Sequence, residues 1–541
     1  MAMRKNSFAK TGLLLRFYLR RDWLKILVWL IGLAGLMAAA AGKFDTLYGD
    51  AKSMASISTT LKSPAMVSMF GPFTAVKPYT SAIIYAAEMM VFMGLFTAMM
   101  NIYFAVKNSR NEEDSGVAEL VSAHAVGRGS QLLAATIEII LINLIIGCVE
   151  ALGLQASGMT GISANGSWLF GLSLAAFGIM FAAISLLCAQ IVSSARSATM
   201  LSYGVLGILY VARMATDVKN PDLTWWTIFG WIEKLDVYHD NHWAPLLLML
   251  GFAIIVGAFA FFIAGRRDVG SGILPTARGR RNASLFLAGP FSLLARLERT
   301  STIVWLLGLF LLGASYGSIF GNVGDLMKTN PTMARLIGHA AVESANRVVV
   351  LSFASTLTII FAVVASIPAM MTILRLNTDE RKGYLEQLHA RGVSRLRIFG
   401  THMLFATLVG TATLVLGIIG MGIAGNATLA HPIDLSRYLR GFVGYWPALF
   451  VIIGITALIV SLVLRLQALA WLLPVYGFFS LYLGELLNLP EWAQKLSPYG
   501  WVNQVPLKAI DWLTAGWMTG LGFILIIIAY IIYRHRDLKI N

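Results

Sequence analysis

Twelve apolar runs, each close to the roughly 20 residues a helix needs to cross a bilayer, set the class of this chain. They lie at about 26–42, 82–106, 130–151, 168–191, 198–215 and 245–264, then at about 303–320, 348–374, 398–423, 441–464, 468–487 and 514–533. Inside lipid, backbone N–H and C=O groups must be satisfied without water, which here favours helices. With 57% hydrophobic and 13% charged residues over 541 positions, the chain is too apolar for a soluble enzyme, whose charged share is about 25%. The expected fold is an all-α polytopic membrane protein with twelve transmembrane helices.

The runs form two sets of six that repeat in the same direction. Glu113, Gly116, Glu119, Ala123, Val126 and Arg128 return as Glu380, Gly383, Glu386, Ala390, Val393 and Arg395. Pro64, Met66 and Gly71 match Pro331, Met333 and Gly338; Gly230 and Trp231 match Gly500 and Trp501; Arg267 and Asp268 match Arg536 and Asp537. The expected organisation is a first half at 1–268, a basic linker at 269–284 and a second half at 285–541. An amphipathic stretch opens each half, Leu13 to Lys25 and Leu285 to Arg299, and is expected to lie in the membrane interface as an elbow.

Basic residues orient the chain, because cytoplasmic loops retain more of them. With both termini inside, 28 of the 42 Lys and Arg residues face the cytoplasm. The net charge of +15 therefore reads as topology and contact with anionic lipid. Nothing in its pattern points to nucleic acid. The N-terminus imitates a signal peptide, yet Val28 to Leu33 returns as Val304 to Leu309, so both copies read as retained spans. Cys148 and Cys188 lie in separate apolar runs and read as packing residues.

The repeated polar segment reads as a short helix. Asn111 and Thr378 stand where an N-cap belongs, acidic residues follow, and Arg lies near the end, all favourable with the helix dipole. The spacing of Glu113, Gly116 and Glu119 predicts one shared face. The plainer alternative is an ordinary capped loop helix, which the second copy makes less economical.

A short acidic helix between spans 2 and 3, an interfacial elbow, six spans per half and an Arg-Asp ending together resemble the permease of a type-2 ATP-binding-cassette exporter. With both halves fused, and with Phe229 to Trp231 and Arg267 to Gly272, the chain most resembles the exporter family of polyketide antibiotics, the tetronasin-resistance type. The resemblance covers nearly the whole chain. It implies coupling helices at about 112–125 and 379–392, seated in two copies of a separate cytoplasmic ATPase that binds the ATP and magnesium. Glu113, Gly116, Glu119, Glu380, Gly383 and Glu386 would form the contact, with Arg128 and Arg395 as anchors. No phosphate-binding G-x-x-x-x-G-K-[ST] loop occurs here, so the ATPase is expected in another chain, and the resemblance implies a permease without a cofactor of its own rather than an enzyme.

The same resemblance implies export of a small amphipathic, antibiotic-like substrate from a bacterial cytoplasmic membrane, with the pathway near spans 2, 5, 8 and 11. That brings in Glu88, Met89, Met93, Tyr203, Arg213, Ser355, Tyr476 and Glu485. Charges within spans are costly and raise functional suspicion, yet Glu88 and Glu138 are replaced in the second half by Ser355 and Phe405. Methionines crowding span 2 read first as packing. Trp226, Gly230, Trp231, Gly500 and Trp501 mark an outer region where the family has short re-entrant helices, or a plain interfacial anchor. Gly313, Gly317 and Gly321 have the spacing that permits close helix approach. Asp236, His239, Asp240 and His242 offer metal-ligand types but read as a solvated loop, so no metal is expected. The rival functions are a proton- or sodium-coupled secondary transporter, with Glu88 or Glu138 as the coupling carboxylate, and a membrane-embedded transferase or hydrolase using the outer His and Asp cluster.

Overall fold

The computed structural model describes residues 7–49, 51–62, 64–274, 282–284, 286–318, 320–321, 339–429, 431–462, 464–482 and 490–536. Pro331, Met333, Gly338, Glu485 and Asp537 lie outside them. The described residues form helices joined by short connections, with no strand among them. They divide into two compact units, Met1–Gly279 and Arg280–Asn541.

Unit 1 contains α1 (Thr11–Thr46), α2 (Ser81–Lys107), the short α3 (Val117–Ser122), α4 (Ser130–Ala156), α5 (Ala164–Ile191), α6 (Ala195–Lys219) and α7 (Ala244–Arg266). Side-chain caps start three of them, where the first N–H groups of a helix lack internal partners. Thr80 accepts from the N–H of Ile83, Ser163 from Gly166 and Ser194 from Ser197. The core forms around α5, which packs against α2, α4, α6 and α7 and buries Phe170, Phe177 and Phe181. The buried Asn101, toward the end of α2, and Asn143, midway along α4, donate to each other through their amides at 2.9 and 2.6 Å. Such a pair joins helices where lipid gives no hydrophobic drive for association.

Unit 2 contains α8 (Pro290–Gly317), α9 (His339–Arg381), the short α10 (Tyr384–His389), α11 (Arg395–Thr428), α12 (Leu435–Leu462), α13 (Leu472–Tyr482) and α14 (Trp512–His535). Eleven helices among the described residues are long and apolar enough to cross a membrane, and the chain is a multi-pass membrane protein. The span expected at 468–487 is seen in part: Gln467–Leu481 is a shorter apolar helix, and 483–489 lie outside the described residues.

Two local expectations are corrected. No separate elbow precedes the first span: the helix runs on from Thr11 to Thr46, with only a π-helical turn at Ile31–Gly35. No proline interrupts it, and Arg21 and Asp22 are bound to groups at the far end of α2 and beyond. Likewise Pro290 to Arg299 forms the first turns of α8, proline being tolerated at a helix start.

The glycine spacing in span 7 does bring backbones together. A Cβ on Gly313 would stand 2.0 Å from the Gly417 carbonyl oxygen, and one on Gly317 2.3 Å from that of Met421. Gly317→Leu should therefore cost at least the ~1–3 kcal/mol of an overpacked core and lower the thermal midpoint of the detergent-solubilised chain. Gly308→Leu is the control, because a Cβ there meets nothing within 4 Å.

Candidate coupling sites and the charged groups behind them

Beyond α2 a helical turn, Arg110–Asp114, leads to Gly116 at φ 76°, where α3 begins in a new direction. In unit 2, α9 runs to Arg381 and breaks at Gly383, φ 70°, before α10. Left-handed backbone favours glycine, which explains its recurrence in the motif. The helices expected at 112–125 and 379–392 are thus each interrupted. Asn111 lies inside the preceding turn and Thr378 inside α9, so neither is an N-cap. The expected common face is also lost: Glu113 and Glu380 stand before the break, and Glu119 and Glu386 after it.

This division sorts the acids by environment. Glu119 and Glu386 are exposed, beside Leu120 on α3 and Tyr384 on α10, which are 69% and 54% exposed. Glu113 is ion-paired to Arg267 and accepts from Arg110 Nη1 at 2.6 Å and from the Gly270 N–H at 3.2 Å. Glu380 is ion-paired to Arg536. Arg128 Nη2 donates to the Arg267 carbonyl at 2.6 Å, and Arg395 Nη1 to that of Arg536 at 2.7 Å. Arg267 also reaches Gln190 at the end of α5, at 2.7 Å, as Arg536 reaches the Val460 carbonyl near the end of α12, at 2.7 Å. In each unit, then, the break in the span 2 to 3 connection is stapled to the exit of the last span.

A second polar cluster in unit 1 was not legible as a set. The Tyr18 hydroxyl donates to Glu112 at 2.6 Å, Arg21 donates to Glu112 at 2.6 Å and to Asn108 at 2.7 Å, and Asp22 pairs with Lys107. Asn108 donates to Glu138 at 2.5 Å, so that acid belongs to this network. In unit 2, Glu298 pairs with Arg375, which also binds Asp379 at 3.2 Å. Charges placed at span ends were the only available signal.

The proposed pathway residues occupy separate surroundings, and no hydrogen bond or ion pair joins any two of them among the described residues. Glu88 and Met89 are half-buried and Met93 is buried, while Tyr203 is exposed. Arg213 is buried and bound to Glu233 at 2.5 Å and Asp217 at 3.2 Å. Ser355 is buried and accepts from the Leu507 N–H at 3.1 Å; Tyr476 donates to the Ala493 carbonyl at 2.6 Å. The repeated aromatic-Gly-Trp signature has a structural explanation. Phe229 inserts against Phe177, ring centroids 5.0 Å apart, and Tyr499 is buried with its hydroxyl on the Ala362 carbonyl at 3.1 Å. Trp231 and Trp501 each donate at 2.8 Å to the carbonyl six residues earlier, those of Trp225 and Lys495. A Cβ on Gly230 or Gly500 would lie 2.2 or 2.1 Å from that same returning segment. Trp226, by contrast, is 87% exposed.

In the loop before α7, Asp236, Asp240 and His242 bring ligand atoms within 4.8 Å of one another. His239 instead engages Asp236 at 2.7 Å, which raises its titration above the ordinary 6.5. That contribution to stability is complete below the unfolded value and is lost as pH rises through the folded one. An NMR titration should find His239 high in the parent chain and lowered in Asp236→Asn.

A family model for the multidrug efflux system permease Rv1217c, C-terminal domain, matches residues 13–263 and 287–534. The chain belongs to this family. Across 548 residues it is 30% identical to the multidrug efflux system permease protein Rv1217c of Mycobacterium tuberculosis, covering 99% of this chain and 96% of that protein. In this family member both short helices fall within the matched segments, while Arg267 and Arg536 stand just beyond their ends.

Proposed function

We propose that this chain is the membrane-spanning subunit of an ATP-driven exporter that moves hydrophobic or amphipathic, drug-like compounds out of a bacterial cell. Two six-span halves, 1–268 and 285–541, are joined by the linker at 269–284, with both termini in the cytoplasm. A separate ATPase docks on α3 and a second copy on α10, and Glu119 and Glu386 meet basic groups in the docking clefts. Closure of the ATPases on ATP pushes these helices, and hydrolysis resets them.

The observation that carries this reading is an exposed short helix, set off by a left-handed glycine and stapled to the last span, at the same point of both units. The name of the Mycobacterium tuberculosis relative supports drug efflux as the task. Gentle purification of the tagged chain from its native membrane should recover a soluble ATPase near two copies per chain. Recovery of none, under conditions that keep other complexes whole, rejects the proposal. The half-buried Glu88 would then favour ion-coupled transport, whose mark is loss of transport in Glu88→Gln.

A further inference from the structure

Unit 1 has an open cleft that none of the foregoing uses, between the Ser81 end of α2, residues 70–75 and residues 232–237. Phe70, Ile83, Met90, Val91 and Ile232 are among its walls, and Glu233 and Asp236 contribute two acids. The Glu233 side chain is only 6% exposed. Its Oε1 accepts from Arg213 at 2.5 Å, but its Oε2 has no hydrogen-bond partner.

Counting charges shows why. Arg213 also faces Asp217 at 3.2 Å and gives its second nitrogen to the carbonyls of Ser68 and Met69, at 2.6 and 3.2 Å. Asp217 takes the Thr224 hydroxyl at 2.5 Å. One guanidinium thus serves two buried carboxylates, leaving a negative charge in excess when both are ionised. Burial outweighs the pull of Arg213 and pushes Glu233 up to about 8. A buried charge without a partner is costly and takes up a proton or a counter-ion.

Only a residue without a side chain fits against this carboxylate where it borders the cleft. Gly71 sits at φ 96°, and a Cβ there would stand 2.7 Å from the Glu233 carboxyl carbon and 2.8 Å from Oε2. Gly71 is also one of the repeated positions that the coupling sites leave unexplained.

We infer that this cleft binds an amphipathic ammonium compound, its cationic head at Glu233 and its apolar body along α2. The inference rests on the exporter reading for its biological meaning and assigns that reading a class of substrate. A cation supplies the positive charge missing from the Arg213, Asp217 and Glu233 group and displaces the proton Glu233 otherwise holds. A cleft that pairs apolar walls with a few directing polar groups, here Glu233 and Asp236, is the common form of a small-molecule site. Lipids with an ethanolamine headgroup carry the same ammonium and are a second source of the ligand.

The test uses the full chain in phosphatidylglycerol nanodiscs, without ATP or ATPase, and dansylcadaverine, a fluorescent primary ammonium, against its neutral N-acetyl derivative. The ammonium should bind at least tenfold more tightly than the derivative. Glu233→Gln should bring the two to the same level, and Ala87→Trp, which fills the cleft without touching the charges, should weaken both. No saturable binding to the parent chain, or unchanged preference in Glu233→Gln, overturns the inference, as does undiminished binding in Ala87→Trp. Competition on adding phosphatidylethanolamine supports the site and identifies lipid as an occupant. Because no ATPase is present, these outcomes are separate from recovery of the ATPase complex.

Discussion

Reversing two exposed charges, Glu119→Arg with Glu386→Arg, should strip the ATPase from the purified complex and abolish ATP-dependent efflux while leaving the chain folded. Both side chains are exposed on α3 and α10, so their replacement disturbs little packing. Across a docking interface the same change turns attraction into like-charge repulsion, which costs several kcal/mol. Each single reversal should remove one ATPase and leave the other. The measurement is the ratio of ATPase to permease after gentle purification, beside efflux from cells carrying each variant. Full occupancy and efflux in the double variant would remove these acids from the coupling mechanism.

Arg536→Ala is expected to do more damage than Arg267→Ala, although the two arginines are repeat equivalents. Glu380 is 3% exposed and has Arg536 as its ion-pair partner among the described residues. Removing one member of a buried pair leaves the other uncompensated, at a cost of about 3–5 kcal/mol. Glu113 keeps Arg110 when Arg267 is lost, and its side chain is more exposed, at 15%, so the loss there should be smaller. Hydrogen exchange should show faster opening around residues 376–395 in Arg536→Ala than around 109–128 in Arg267→Ala. If the double replacement Arg536→Leu with Glu380→Leu recovers stability but not efflux, the pair positions α10 rather than merely holding the fold.

The apolar runs were readable because a membrane span has to be long and nearly free of charge, and eleven of the twelve correspond to described helices. Other features depended on contacts that spacing does not encode. Glu113 and Glu119 stand six positions apart in one repeated motif, but whether both face outward depends on Arg267, 154 residues from Glu113. Gly116 was visible as a repeated residue, while its φ was not, so a broken segment read as one helix. Asp22 and Glu112 are likewise ordinary charges near span ends until folding gathers Tyr18, Arg21, Lys107 and Glu138 around them. The amphipathic opening of each half has the composition of an interfacial helix, and here it continues directly into a span because nothing interrupts its backbone.

The glycine break also changes how a force can enter each unit. An unbroken rod would carry a push on α3 or α10 straight along α2 or α9 as thrust. With left-handed glycine in between, that route bends, and a second connection runs through Glu113 to Arg267 or Glu380 to Arg536 into the end of the last span. A push at one point is then received by two helices on different lines. On the proposed coupling, such a push would turn the unit as well as thrust along it.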